Sequence, residues 1–242
     1  MTSTKWLVCP RPDPSAKRCL FIFPYAGGSP AAFSKWTAPN FETQIAHYPG
    51  RGSRFNEPAI RRLDALVENL MREIQPLLDK PFALFGHSMG GLIAFELARS
   101  LRRFSLPRPA RLFISARAAP QISDLNPPIH ALPDEQFLTA LKRFNGIPSE
   151  ILDQPEALKI LLPSLRADLE AVETYRFDSS EPPLDVPIAA FGGLDDERVD
   201  SKQLEGWAVQ TASRFEASYF PGGHFFIQAN KDAILESMAA ES

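Results

Sequence analysis

The sequence has 242 residues, a length that suits one domain with a substantial buried core. Hydrophobic residues make up 44% of the chain and charged residues 23%, which is ordinary globular usage and excludes disordered, collagen-like and coiled-coil classes. The net charge of -3 argues against nucleic acid as a partner, because a protein that neutralises phosphates carries an excess of basic residues.

The N-terminal segment has an apolar run too short for a signal peptide, and no later stretch approaches the about 20 apolar residues that span a bilayer. The two cysteines, Cys9 and Cys19, have neither metal-binding nor redox-motif spacing. Two thiols also cannot frame a disulfide-rich secreted domain of this length. We therefore expect a cytoplasmic protein that does not contact a membrane.

Six short runs of β-branched and aromatic residues, each closed by Gly, Pro or Ser, predict buried strands. They cover 19–23, 44–48, 82–85, 111–115, 188–191 and 215–220. Apolar residues at helical spacing lie between them, for example over 60–74 and 92–101. Strands that alternate with helices predict an α/β fold: a mostly parallel central sheet with right-handed crossovers and helices on both faces.

The alternation stops between about 133 and 177, where a helical pattern is cut by Pro148, Pro155 and Pro163 and no strand is predicted. An insertion of this size between two strands predicts a helical lid on a single domain that covers 1–242. The apolar side chains of the lid either line a channel for a ligand or pack the lid onto the core, and both interpretations stay open. These side chains are Phe137, Leu138, Leu141, Phe144, Ile147, Ile151, Leu152, Leu158, Ile160, Leu161, Leu162 and Leu165.

A Gly-x-Ser-x-Gly motif, centred on Ser88, stands between a predicted strand and a predicted helix. This is the context of a nucleophile elbow, in which a tight turn lifts the serine hydroxyl above the sheet. Gly86 and Gly90 are needed because the strand and the helix cross closely at the turn. The N–H group of Met89, at the start of the helix, is then a candidate donor to an oxyanion. The alternative is an ordinary Gly-Ser turn before a helix.

A serine hydroxyl needs a base to take its proton, and the chain offers four histidines. His224 lies in a glycine-rich loop after the last predicted strand, from which an imidazole can reach over the sheet. It also completes the chain order of serine, acid and histidine that α/β-hydrolases use. We interpret His87 as a packed residue that supports the elbow, and His47 and His130 as structural.

The acid that orients the histidine is expected after a late strand, at the carboxyl edge of the sheet. Asp195 and Asp196 follow the strand predicted at 188–191. Asp196 fits a Gly-x-x-Asp-x-x-Val turn counted from Gly193, whereas Asp195 fits only a count from Gly192. We favour Asp196, with Asp195 as the alternative.

The second oxyanion donor is expected from the loop after the first central strand, residues 23–29, which contains two consecutive glycines. The N–H group of Ala26 is the better candidate, and that of Tyr25 is the reserve. Taken alone, the glycine pair is also explained by a plain turn.

Together, these stretches resemble the type II thioesterases that accompany nonribosomal peptide synthetases and polyketide synthases as separate α/β-hydrolase proteins. One departure is Ala116, where such proteins commonly carry glycine. The matching stretches are FPYAGGS (23–29), YPGRGSR (48–54), EP (57–58), GHSMGG (86–91), LPSLRAD (162–168), GLDD (193–196) followed by Trp207, and GGHFF (222–226).

The resemblance implies an α/β-hydrolase that hydrolyses acyl thioesters held on the phosphopantetheine arm of acyl- or peptidyl-carrier proteins, and so edits stalled assembly lines. It assigns Ser88 as nucleophile, His224 as base and Asp196 as acid, with the N–H groups of Ala26 and Met89 as oxyanion donors. No cofactor or metal is expected, because backbone dipoles stabilise the negative charge. We also expect a monomer.

Two other readings remain. A general carboxylesterase or an acyl-CoA thioesterase uses the same triad and differs only in its pocket. A binding module that keeps the elbow for structural reasons is disfavoured by the presence of serine, acid and histidine together.

Overall fold

The computed structural model describes residues 4–38, 40–122, 127–143 and 154–240. Within these residues a seven-stranded sheet has the order β1-β3-β2-β4-β5-β6-β7, with β1 antiparallel to β3 and all other neighbours parallel. This confirms the prediction of a mostly parallel sheet. The strands are β1 (Leu7–Val8), β2 (Arg18–Phe23), β3 (Phe41–Ala46), β4 (Phe82–His87), β5 (Arg111–Ser115), β6 (Ile188–Gly193) and β7 (Phe215–Phe220).

Two apolar clusters cover the two faces of the sheet, because successive strand side chains point to opposite sides. Leu84 of β4 belongs to the cluster under α1 and α2, whereas Phe85 belongs to the cluster under α6. Helices therefore pack on both faces, as the fold class requires. The described α-helices are α1 (Leu63–Ile74), α2 (Met89–Arg103), α3 (Asp134–Arg143), α4 (Pro155–Glu173), α5 (Ser201–Glu205) and α6 (Lys231–Ala240).

The prediction of a strand over 44–48 was wrong in its bounds, since β3 runs from Phe41 to Ala46. The start of the strand was missed because its residues are polar. Glu42, Thr43 and Gln44 are nevertheless buried, and they continue the parallel ladder with β2. The strand β1 was missed because two residues are too short to show a period.

Between β5 and β6, the described residues form the helices α3 and α4 and no strand of the sheet. The expectation that Pro163 cuts the helical pattern was wrong, because this residue lies inside α4. Its ring removes the hydrogen bond to the carbonyl of Lys159. Pro155, by contrast, is at the first turn of α4, where a missing N–H costs little.

The described residues of the segment predicted as a lid form a small apolar cluster, which consists of Phe137, Leu141, Leu165 and Leu169. Ala26, in the loop after β2, packs against this cluster. The predictions for Phe144, Ile147, Pro148, Ile151 and Leu152 lie outside the described residues.

In the described part of the chain, the helices include none that is both long and apolar enough to cross a bilayer.

Candidate active site

Ser88 occupies a strained turn between β4 and α2, with φ 54° and ψ -115°. A Cβ atom at Gly86 would lie 2.0 Å from the carbonyl oxygen of Gly90, and one at Gly90 would lie 1.8 Å from the carbonyl oxygen of Phe23. Both distances are far below contact, so the two glycines are required by the crossing of strand and helix. The N–H group of Ser88 donates to the carbonyl of Ser115 at 2.7 Å, which holds the strained residue on the neighbouring strand.

The structure brings three of the sequence-predicted side chains into one hydrogen-bonded chain. His224 Nε2 lies 3.1 Å from Ser88 Oγ, and His224 Nδ1 lies 2.9 Å from Asp196 Oδ2. The three residues come from the turns after β4, β7 and β6, which all open at the carboxyl edge of the sheet. With Nδ1–H donating to the carboxylate, Nε2 carries a lone pair directed at the serine hydroxyl.

Asp196, rather than Asp195, reaches the histidine. The Asp196 side chain is fully buried, and its second oxygen accepts the N–H groups of Arg198 at 2.9 Å and Val199 at 3.3 Å. Asp195 is exposed, and its backbone N–H donates to the carbonyl of Gly222 at 3.0 Å. One aspartate thus faces the site, while its neighbour ties the acid loop to the histidine loop through the backbone.

The acid and histidine loops approach each other closely at Gly193. A Cβ atom at this position would lie 2.5 Å from the carbonyl oxygen of Gly222 and 2.6 Å from that of Gly223. Glycine is therefore required where β6 ends, and it allows His224 to sit beside Asp196.

Burial lowers the pKa of the His224 imidazole below its ordinary value of 6.5. The positive charges of Arg198 and Arg117 act in the same direction, while the hydrogen bond and the charge of Asp196 oppose them. The histidine is consequently neutral at neutral pH and available to accept a proton.

The other three histidines have structural contacts. His87 is fully buried beneath the site, with Nδ1 2.9 Å from the hydroxyl oxygen of Ser115, and burial lowers its pKa far below the ordinary value. His47 Nε2 lies 3.1 Å from the carbonyl oxygen of Arg51, and His130 Nδ1 lies 2.5 Å from Glu173 Oε2.

The loop after β2 begins against the first turn of α2, since the carbonyls of both Phe23 and Pro24 crowd Gly90. A tight turn follows, in which the N–H of Gly28 donates to the carbonyl of Tyr25 at 2.8 Å. Ala26 is the second residue of this turn. Met89 is the first residue of α2, and the first N–H groups of a helix have no intrahelical partner.

Sequence reasoning missed the buried pair of Arg51 and Asp168, whose stretches were noted only for their family likeness. The two side chains are 4% and 1% exposed and are joined by hydrogen bonds of 2.6 and 2.7 Å. The strictly local signal for such a pair is weak, because 117 residues separate its members. The pairing of two rare buried charges becomes visible only in the folded chain.

Ala116, which stands where the type II thioesterases commonly carry glycine, has a φ of 49°. This value lies in the left-handed region that glycine adopts more easily than alanine. Two hydrogen bonds hold the strained segment. The N–H of Ala116 donates to the carbonyl of Phe191 at 2.9 Å, and the indole of the buried Trp207 donates to the carbonyl of Arg117 at 2.7 Å.

Beside this segment, a cavity of about 620 Å³ opens between the loop after β5 and the helix α4. Its wall mixes apolar side chains, among them Ile122, Leu169 and Phe177, with polar ones that include Arg117 and Arg198. The charges of the same two arginines act on the pKa of His224.

The sheet order, the strained serine turn and the positions of the acid and histidine loops define an α/β-hydrolase. Residues 18–241 match the thioesterase domain family. The chain is 42% identical over 240 residues to the gramicidin S biosynthesis protein GrsT of Aneurinibacillus migulanus. The alignment covers 98% of this chain and 93% of GrsT.

Solved structures give the same result. The type II thioesterase BorB from the borrelidin biosynthetic cluster matches with a TM-score of 0.91 and 33% identity, over 100% of this chain and 99% of BorB. The thioesterase RedJ from the prodiginine biosynthetic pathway in Streptomyces coelicolor matches with a TM-score of 0.86 and 32% identity, over 94% of this chain and 87% of RedJ. The chain therefore belongs to the thioesterase family, among the type II thioesterases of nonribosomal peptide and polyketide pathways. This confirms the resemblance seen in the sequence.

Proposed function

We propose that the protein edits an assembly line by hydrolysing acyl thioesters held on the phosphopantetheine arm of a carrier protein. Ser88 is the nucleophile, His224 the general base and Asp196 the acid that orients it. The observation that carries this assignment is the chain of 3.1 and 2.9 Å contacts that ends on a serine in a strained turn. The family supplies the thioester substrate, and its relatives in peptide and polyketide pathways supply the carrier protein as partner.

In the first half of the reaction, Ser88 Oγ attacks the carbonyl carbon of the thioester while its proton passes to His224 Nε2. The carbonyl oxygen becomes an oxyanion, which accepts hydrogen bonds from the N–H groups of Ala26 and Met89. Collapse of this intermediate breaks the C–S bond. His224 then gives its proton to the departing sulfur, which leaves as the free thiol of the arm.

In the second half, water takes the place of the thiol. His224 removes a proton from the water, the resulting hydroxide attacks the acyl-serine, and the same two N–H groups stabilise the second oxyanion. Breaking the ester bond releases the carboxylic acid, and the proton held by His224 returns to Ser88 Oγ. Asp196 keeps the imidazole in one tautomer and orientation throughout.

The helices α3 and α4 form the lid in this proposal. The buried positions of Phe137, Leu141 and Leu165 support the interpretation that these side chains pack the lid down. The apolar part of the wall of the 620 Å³ cavity, which includes Leu169 and Phe177, supports a place for the acyl group under the same lid. A monomer in the cytoplasm completes the proposal, and the two buried cysteines, Cys9 and Cys19, are compatible with a reducing compartment.

The test compares three acetyl donors: an acetylated carrier protein, acetyl-CoA and p-nitrophenyl acetate. Release from the carrier is followed by intact-mass spectrometry. We expect the highest kcat/KM for the carrier protein, because it adds contacts that neither small donor can make. If the enzyme ignores every acylated carrier and rapidly hydrolyses the small ester, it is a general esterase; a preference for acetyl-CoA identifies an acyl-CoA thioesterase.

The kcat/KM of the wild-type enzyme should fall on the acid side with an apparent pKa below 6.5. The base must be neutral to accept a proton, so activity is lost as the pH falls through the pKa of His224, which burial and nearby arginines lower. Arg198→Gln removes one of these charges and should move the inflection upward. A pH profile of kcat/KM, measured on both proteins with one thioester, checks this. An inflection above 6.5 in the wild type would contradict it.

A further inference from the structure

We propose that Arg51 and Asp168 are positioning residues that hold the oxyanion loop, residues 24–29, in the conformation that presents the Ala26 N–H to the reacting carbonyl. The inference rests on the function proposed above. It concerns two side chains that come from distant parts of the chain and do not touch Ser88 or His224.

The contact between Asp168 and the loop is direct. Asp168 Oδ2 accepts the backbone N–H of Gly27 at 2.7 Å, and Gly27 follows Ala26 in the tight turn. Gly27 has φ 75°, the value required at the third residue of a type II turn. Type I and type II turns differ by a flip of the peptide between their second and third residues. The flipped peptide would aim the carbonyl of Ala26, instead of the N–H of Gly27, at the carboxylate. Asp168 therefore selects one of the two turn conformations.

Arg51 holds Asp168 and the far end of the loop together. Its guanidinium binds the two carboxylate oxygens as a fork, with Nη1 at 2.6 Å from Oδ2 and Nη2 at 2.7 Å from Oδ1. The same Nη1 also donates to the carbonyl of Gly28 at 3.3 Å. The ring of Tyr48 lies under the guanidinium at 5.1 Å, and its hydroxyl donates to the carbonyl of Pro24 at 3.3 Å. Backbone groups at both ends of the loop are thus held by the segment after β3.

The lid helix α4 carries this anchor. Leu161, Leu165 and Asp168 are spaced so that they share one face of α4, and that face covers Gly27. A Cβ atom at Gly27 would lie 3.2 Å from Leu165 Cδ1 and 3.5 Å from Leu161 Cδ1. The loop is therefore held between α4 and the segment after β3.

A purely structural role predicts a different set of bonds. An ion pair that only stabilised the fold would need no bonds beyond those between its two side chains. Here the carboxylate also accepts a hydrogen bond from the oxyanion loop, and the guanidinium also donates one to it. The two roles separate in the double variant Arg51→Met/Asp168→Leu, which removes both buried charges and so avoids leaving one of them unpaired. We expect it to fold, to retain its KM within about threefold and to lose kcat by about 10²-fold, the scale of a misplaced oxyanion donor.

The conservative variant Arg51→Lys provides a second test of the positioning role. Lysine keeps the charge but cannot form the fork and reach the loop at the same time, so the fold is kept and kcat should fall by about tenfold. The matched control is Glu96→Gln/Arg99→Met, because this pair is also largely buried, with side chains 13% and 3% exposed, and its hydrogen bonds within the described residues join it to Tyr175, Asp178 and Glu181, outside the loop. The control should lower the melting temperature and leave kcat unchanged.

The measurements are circular dichroism, the melting temperature, kcat and KM, and the inhibition constant of an alkyl trifluoromethyl ketone, which forms a charged tetrahedral adduct with a catalytic serine. Inhibitor binding should weaken by the same factor as kcat/KM. A folded double variant with wild-type kcat, or one whose KM alone rises, overturns the proposal. The ratios to wild type are taken with an acyl-carrier protein and with a p-nitrophenyl ester. Failure of the carrier substrate for the wild type therefore counts against the proposed function and leaves the positioning test intact.

Discussion

Replacing Ser88 by alanine is expected to lower kcat by about 10⁶-fold and to leave the protein folded. In the proposed mechanism the hydroxyl attacks the acyl carbon, so no covalent intermediate can form without it. The only side-chain hydrogen bond that involves Ser88 is the 3.1 Å contact with His224 within the described residues, so the loss of stability should be about 1 kcal/mol. Alanine has the same backbone strain at φ 54° as serine, so the difference in kcat between the two proteins reports the loss of the hydroxyl.

Intact-mass spectrometry of the acylated carrier protein measures this loss, and a fluorophosphonate probe should label the wild type and not the variant. A further check is the double variant Ser88→Ala/His224→Ala. It should be no slower than either single variant, because residues that act as one unit are strongly non-additive. Substantial turnover by Ser88→Ala, with the carrier still being deacylated, would remove the serine from the mechanism.

Asp196→Asn is expected to lower kcat by about 10⁴-fold, because an asparagine presents an N–H group where the imidazole requires an acceptor, and so favours the wrong histidine tautomer. The fully buried carboxylate also accepts two backbone N–H groups, from Arg198 and Val199, so the side-chain position should survive the exchange. The neighbouring Asp195→Asn provides the matched control. Asp195 is exposed and contributes a backbone bond that the substitution preserves.

The two variants are compared by kcat on one thioester together with their melting temperatures. We expect Asp195→Asn to stay within about twofold of the wild type, as surface substitutions usually do. A crippled Asp195→Asn beside a nearly active Asp196→Asn would reverse the assignment. Equal losses in both would show that the loop, rather than one carboxylate, is what the histidine needs.

The features that the sequence determined by itself are local ones. The strand before Ser88, the two flanking glycines and the helix after it are contiguous, so the period of the apolar residues and the turn chemistry predicted the elbow that the structure contains. The parallel sheet followed from the alternation of strands and helices in the same way. The loops with Ala26 and His224 were found because each directly follows a recognisable strand.

Tertiary structure alone decided what depends on direction and on distant partners. The turn count favoured Asp196 without excluding Asp195, and it is in the folded acid loop, bonded to Gly222, that Asp196 is buried and Asp195 exposed. The polar stretch of β3 became a strand because it continues the parallel ladder with β2. Arg51 and Asp168 meet across 117 residues, since burial of a charge is stable only when folding supplies its counter-charge. Local sequence patterns do not predict contacts between residues so far apart in the chain, because such contacts form only when the chain folds.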